Sequence, residues 1–239
     1  MSSRSAPPVA AAFRPRSGWR AALLGGALVL APVLSGCGGG LKYTIDDAAM
    51  EPIPASDRAG VLEARKEQDL ATSEQRSVDT MLASLDRDFA LAKQEKEQAL
   101  LEIEKAIAEQ EGAKASHDEN QANVAAHNKD VADTNMKVVE SKLDWLEQKR
   151  DWLKQNRKAA EAHLEAAKAH VELEKAKVAQ QRGIKPSSDF QVSDFESQWK
   201  SKNSDYESEK KDAASEEQDA KKKEARWHEQ QAQLQKMKG

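Results

Sequence analysis

Between Pro54 and Pro186 the chain has no proline, and Gly112 is the only glycine between Gly60 and Gly183. A compact mixed domain needs turns, and turns need those residues, so a run this long leaves two outcomes: long helices or disorder. A charged fraction of 33% suits either outcome. Apolar periodicity decides between them. Val78, Leu82, Leu85, Phe89, Ala92, Ala99, Ile103 and Ala106 advance in alternating steps of four and three, broken only by Lys96. That spacing is a heptad seam, the pattern of a helix that packs along another helix.

A second seam follows. Ala132, Met136, Val139, Leu143, Leu146, Leu153, Ala160, Leu164, Ala167, Val171 and Val178 keep the same rhythm, with Arg150 and Arg157 as breaks. Beside it Val124, Val131, Val138, Trp145, Trp152, Ala159, Ala166 and Leu173 recur at every seventh residue. Two adjacent lines make a face wider than a two-stranded seam requires, so this segment calls for more than one neighbour.

At Arg182–Asp189 the sequence RGIKPSSD holds a helix-stopping glycine, a proline and then capping residues. Beyond it Val192, Trp199, Tyr206, Ala213, Ala220, Trp227 and Leu234 again recur at every seventh position. This helix has one narrow stripe and depends on tertiary packing. If the chain reverses at Pro186, Trp199 faces Leu173, Tyr206 faces Ala166, Ala220 faces Trp152 and Trp227 faces Trp145. At Tyr206/Ala166 and Ala220/Trp152 large residues then oppose small ones, as close packing asks. The aromatic seam residues Trp145, Trp152, Trp199, Tyr206 and Trp227 are read as hairpin core, with a partner-binding platform as the competing reading.

The stretch 112–123 has no large apolar residue, and the seam changes phase across it. It is either a loop or hinge, or a solvated section of one continuous helix. The fold class expected is all-α: long coiled-coil helices in an antiparallel helical hairpin, or a three-helix bundle if the first segment folds back. The divisions expected are 1–36, a tether over 37–55, a helical region over 56–182, a turn over 183–189 and a returning helix over 190–237. Ser56-Asp57 is the candidate N-cap of the first helix.

The N-terminal 36 residues have a different character. Arg4, Arg14, Arg16 and Arg20 precede the apolar run Ala21–Leu34, and no acidic residue occurs among them. The run is shorter than the roughly 20 residues of a membrane span and has the order of a secretory signal. It ends in Leu34-Ser35-Gly36-Cys37, which holds the only cysteine of the chain. This stretch resembles the lipobox of bacterial lipoproteins. The resemblance implies cleavage before Cys37, with Leu34, Ser35 and Gly36 recognised by the signal peptidase, and acylation of Cys37. It also implies a lipid bilayer as a partner and a place in the cell envelope. Gly38, where Asp would direct retention, points to the outer membrane, facing the periplasm. Two or more acyl chains anchor stably where one does not.

Other chemistries have little to stand on. A net charge of −4 gives no basic footprint for nucleic acid. His163 and His170 share a helix face but lie about 10 Å apart, too far for one metal without further ligands. All five histidines, including His117, His127 and His228, are expected to be solvated surface residues. The carboxylates interleave with Lys and Arg at helical spacing, as surface pairs do. No phosphate loop or nucleophile elbow occurs. No enzyme activity, cofactor, metal or small-molecule substrate is expected. The leading expectation is an envelope lipoprotein serving as a coiled-coil spacer or scaffold, with other envelope proteins or further copies of itself as partners. An accessory subunit of a transport or motility complex, docking through its hairpin, is the alternative. A cell-wall regulator ranks last.

Overall fold

The computed structural model describes residues 40–239; the expected signal segment and Leu34, Ser35, Gly36 and Cys37 lie outside the described residues. The described residues form three long helices, α1 (Ala59–Ser116), α2 (Glu119–Gln181) and α3 (Val192–Lys238). A short 3-10 turn at Asp47–Met50 precedes them. The fold is all-α, and α2 packs against both α1 and α3, so the hairpin of α2 and α3 has a third helix folded beside it.

The reversal between α1 and α2 is a two-residue turn. His117 adopts the left-handed conformation at φ 54° and ends α1. Asp118 then caps α2, accepting hydrogen bonds from the N–H groups of Asn120 (2.9 Å) and Gln121 (3.2 Å). The stretch 112–123 is therefore the site of a chain reversal and not a section of one continuous helix. At the other end of α2, Gly183 stands at φ 67°. The Ile184 N–H donates to the Ala179 carbonyl (2.8 Å), and the Gly183 N–H donates to that of Gln180 (3.1 Å). That is a Schellman stop, and it needs glycine at its left-handed position.

The α1–α2 interface is lined at every seventh residue by Ala64, Ala71, Val78, Leu85, Ala92, Ala99, Ala106 and Ala113, all buried. Opposite run Ala125, Ala132, Val139, Leu146, Leu153, Ala160 and Ala167, also buried. Alanine seams let helix axes approach to about 8 Å, the close end of the usual range. The larger side chains collect where Leu85, Phe89, Leu146 and Leu153 form one cluster.

Ion pairs fix the antiparallel register. Arg157 meets Asp79 (3.1 Å), Arg150 meets Asp86 (3.7 Å), Lys142 meets Glu95 (2.7 Å) and Lys96 meets Glu140 (3.3 Å). Lys96, Arg150 and Arg157, three of the breaks in the apolar seams, are cross-helix pairing points, and the Arg150 guanidinium also lies 3.9 Å from the Phe89 ring centre. Exposed pairs of this kind contribute only about 0–1 kcal/mol each. Their common effect is to disfavour a slipped register.

Two expectations change. The first helix starts at Ala59, not at a Ser56-Asp57 cap; Asp57 instead pairs with Arg182, joining the start of α1 to the end of α2. Residues 41–55, expected as a flexible tether, are seated on the helices. Ile45, Met50 and Ile53 are 3%, 2% and 5% exposed and join Val61, Val171, Leu173 and Phe195 in one cluster. A short non-periodic segment can bury its few large side chains when three helix ends supply the surface.

Leu153 is 0% exposed and Leu101 is 64% exposed. Leu153→Ala should lower stability by about 2–5 kcal/mol through lost burial and the cavity left behind. Leu101→Ala should stay within about 0.5 kcal/mol. Urea unfolding followed by far-UV circular dichroism checks both; equal losses would contradict the placement of the core.

Candidate functional site

The aromatic seam residues lie along the α2–α3 contact and do not converge on one site. Trp145 and Trp227, placed opposite each other in the expected register, stack at 4.9 Å with an interplanar angle of 11°. Lys149 lies 4.9 Å from the Trp145 ring centre, so this exposed edge of the pair carries a cation as well. Trp152 packs on the leucine cluster below it. Trp199 packs on the proximal cluster that holds Ile45 and Phe195. All five aromatics, Tyr206 included, are half-buried, and the deepest positions belong to alanine, leucine and methionine.

Two histidines are not solvated surface residues. His170 Nδ1 lies 2.7 Å from Glu67 of α1, and its ring lies 5.5 Å from that of Trp199 of α3. One heptad away, His163 Nδ1 lies 2.7 Å from Glu74, and its ring stacks on Tyr206 at 4.4 Å. Each imidazole thus joins a carboxylate of one neighbouring helix to an aromatic ring of the other. The repeat ties three helices together twice, one heptad apart on α2. Sequence reading missed it because the histidines were weighed only against each other, as metal ligands.

The densest polar arrangement is at the proximal end, where α1 begins, α2 ends and α3 begins. There the extended backbone at Tyr43–Ile45 is held by side chains from two helices. The Tyr43 N–H donates to Gln198 Oε1 (2.9 Å), and Gln198 Nε2 donates back to the Tyr43 carbonyl (2.9 Å). The Ile45 N–H donates to Glu172 Oε2 (2.6 Å), and Lys175 Nζ donates to the Ile45 carbonyl (3.0 Å). The segment is bonded as an edge strand would be, with side chains replacing a partner strand.

Glu172 and Lys175 are 9% and 5% exposed, and they pair with each other at 2.7 Å. Burying both charges is costly unless every remaining polar site is used. Here Ile45 takes the second Glu172 oxygen, and Lys175 also meets Asp47 at 2.6 Å. Asp47 in turn meets Arg65 at 2.8 Å. The Lys175 hydrogen bond, with the charges of Lys175 and Arg65 behind it, holds the Asp47 carboxyl below its ordinary pKa against a smaller effect of burial. None of these partners could be singled out from sequence, because Glu172, Lys175 and Gln198 look like any other polar helix positions.

Among the described residues, no group of His, Cys, Asp and Glu side chains could hold a metal ion. No described helix is long and apolar enough to cross a membrane. Comparison with protein families, with curated proteins and with solved structures finds no match to this chain.

A carboxylate with a lowered native pKa stabilises the fold above its unfolded pKa, about 3.9 for Asp. That contribution is lost as pH falls through the native value. Asp47→Asn should therefore melt at a lower temperature than the parent chain at pH 6. The difference should close as the pH drops below about 4. A melting difference unchanged at pH 2.5 would show that the Asp47 charge is not what holds the segment.

Proposed function

We propose that this chain is a membrane-anchored envelope lipoprotein whose three-helix rod is a coiled-coil spacer or scaffold in the periplasm. The observation that supports it most directly is the seating of residues 43–53 on the proximal end. Five residues, Gly38 to Lys42, separate Cys37 from the first pinned backbone group. Extended chain covers at most about 3.6 Å per residue, so that leash reaches roughly 20 Å. Acyl chains on Cys37 would keep the proximal end close to the bilayer. Load on the anchor would pass into α2 and α3 through Gln198, Glu172 and Lys175, not into the first turn of α1.

The 58 residues of α1 give a rod of about 85 Å at 1.5 Å per residue. That length carries the α1–α2 turn well away from the anchored end. A structure with its order spent on length suits spacing or scaffolding. The alternative, an accessory subunit that docks through its helices, draws support from Leu100, Leu101 and Ile107, which are 46%, 64% and 40% exposed in the distal part of α1. A helix that leaves aliphatic side chains exposed has surface to offer a partner.

Cys37→Ser should move the protein from the membrane to the soluble fraction and abolish incorporation of labelled palmitate. Membrane fractionation without label would refute the anchor. A photocrosslinker at Leu101 in living cells separates the two readings: one defined product favours the docking subunit, and dispersed products favour the spacer.

A further inference from the structure

Residues 41–55 are attached to the helices more lightly than the helices are to one another, and we propose that they form a releasable strap. Pulled from Cys37, the strap peels away while α1, α2 and α3 stay packed, and the leash to the membrane lengthens. The source of the pull rests on the lipid anchor of the proposed function; the attachment of the strap does not. Among the described residues, the strap's main chain bonds to other main chain no farther than Arg58: Ala49 to Asp46, Glu51 to Ala48, Ile53 to Met50 and Arg58 to Ala55. Its polar hold on the helices runs through side chains. Gln198 takes Tyr43, Glu172 and Lys175 take Ile45, and Lys175 and Arg65 take Asp47. Its apolar hold is Ile45, Met50 and Ile53. By contrast α1 and α2 meet at every heptad from Ala64 to Ala113. The strap's seat is also incomplete. A cavity of about 520 Å³ lies between strap and helices on one side, lined by Leu41, Asp47, Arg65, Asp69, Lys168 and Lys175.

The buried charges favour release over rupture of the helices. Ile45 and Asp47 lie over the Glu172–Lys175 pair and help to close it from water. When the strap lifts, the pair keeps its own 2.7 Å contact and regains hydration, so no charge is left orphaned. A pull from the Cys37 side also meets the contacts in turn: Tyr43 first, then Ile45, Asp47, Met50 and Ile53. Contacts loaded one after another yield at a lower force than contacts loaded together. The peeling has a stop. Asp57 pairs with Arg182, and Gly60 lies so close to the Glu174 carboxylate that an added Cβ would collide with it. The start of α1 is thus fastened to the end of α2 just beyond the strap. Release lengthens the leash from the five residues Gly38 to Lys42 to the nineteen residues Gly38 to Ser56. At about 3.6 Å per residue its reach grows from roughly 20 Å to roughly 70 Å. A rod on such a leash stays attached while its distance from the membrane changes.

The test pulls on the full chain in optical tweezers, produced without acylation so that Cys37 is a free thiol. One handle is attached at Cys37, the only cysteine, and the other at Ser187→Cys in the exposed α2–α3 turn. A first, reversible step should lengthen the tether by at most about 50 Å, the span of the fourteen residues Tyr43 to Ser56. It should come at lower force than any step in which helices unfold. Gln198→Ala removes both bonds to Tyr43 and should speed the first step about tenfold at fixed force, with the later steps and the helicity unchanged. Leu153→Ala should do the opposite, easing the later steps and leaving the first alone. A single step in which strap and helices yield together would overturn the proposal. So would a first step that Leu153→Ala eases or Gln198→Ala leaves unchanged. The pulled chain carries no lipid, so these outcomes judge the strap alone, and palmitate labelling judges the anchor.

Discussion

The structure follows from the two apolar lines on α2. One is the buried series from Ala125 to Ala167, and the other runs from Val124 to Leu173. They are offset by one residue, about 100° around a helix of 3.6 residues per turn. One straight neighbour cannot cover both, so α2 needs two, on adjacent sides. The first line is mostly alanine and takes α1 at close range. The second carries Trp145 and Trp152 between Val138 and Ala159 and takes α3, whose Trp227 reaches Trp145 across the seam. A groove between α1 and α3 is a necessary consequence.

What could be read in advance divides by the range of the interaction. The α2–α3 register was legible because both partners repeat every seven residues and Tyr206 and Trp152 fall opposite alanines. The stop at Gly183 was legible because a left-handed position selects glycine. The reversal at His117–Asp118 was open, since histidine occupies the left-handed position and the nearest glycine, Gly112, lies inside α1. A signal was there in Asp118 followed by Gln121, a capping pair ahead of a new apolar phase. The seating of residues 41–55 had no comparable signal. Ile45, Met50 and Ile53 follow no period, and the side chains that hold the backbone at Tyr43 and Ile45 are more than a hundred residues away in sequence. The histidine bridges were hidden for the same reason: each needs an acid from α1 and an aromatic ring from α3, and only the register brings them together.

The two ends of the rod are built to different standards. At the proximal end, three helix ends, a pinned strand-like segment and a buried Glu172–Lys175 pair depend on one another. Removing one partner of a buried pair leaves the other uncompensated, which typically costs about 3–5 kcal/mol. At the tip two helices meet through Ala106, Ala113, Ala125 and Ala132, with one left-handed His117 at the turn. Alanine buries little area, so the tip gains less from each residue it orders.

Local opening is cheapest where buried apolar contacts are fewest, so the tip should exchange between closed and frayed states more readily than the rest. The end where residues 41–55 are seated has the opposite character. There the chain supplies third and fourth contacts to α1 and α2 through α3 and residues 41–55, so opening that end exposes Ile45, Met50, Ile53 and Phe195 together.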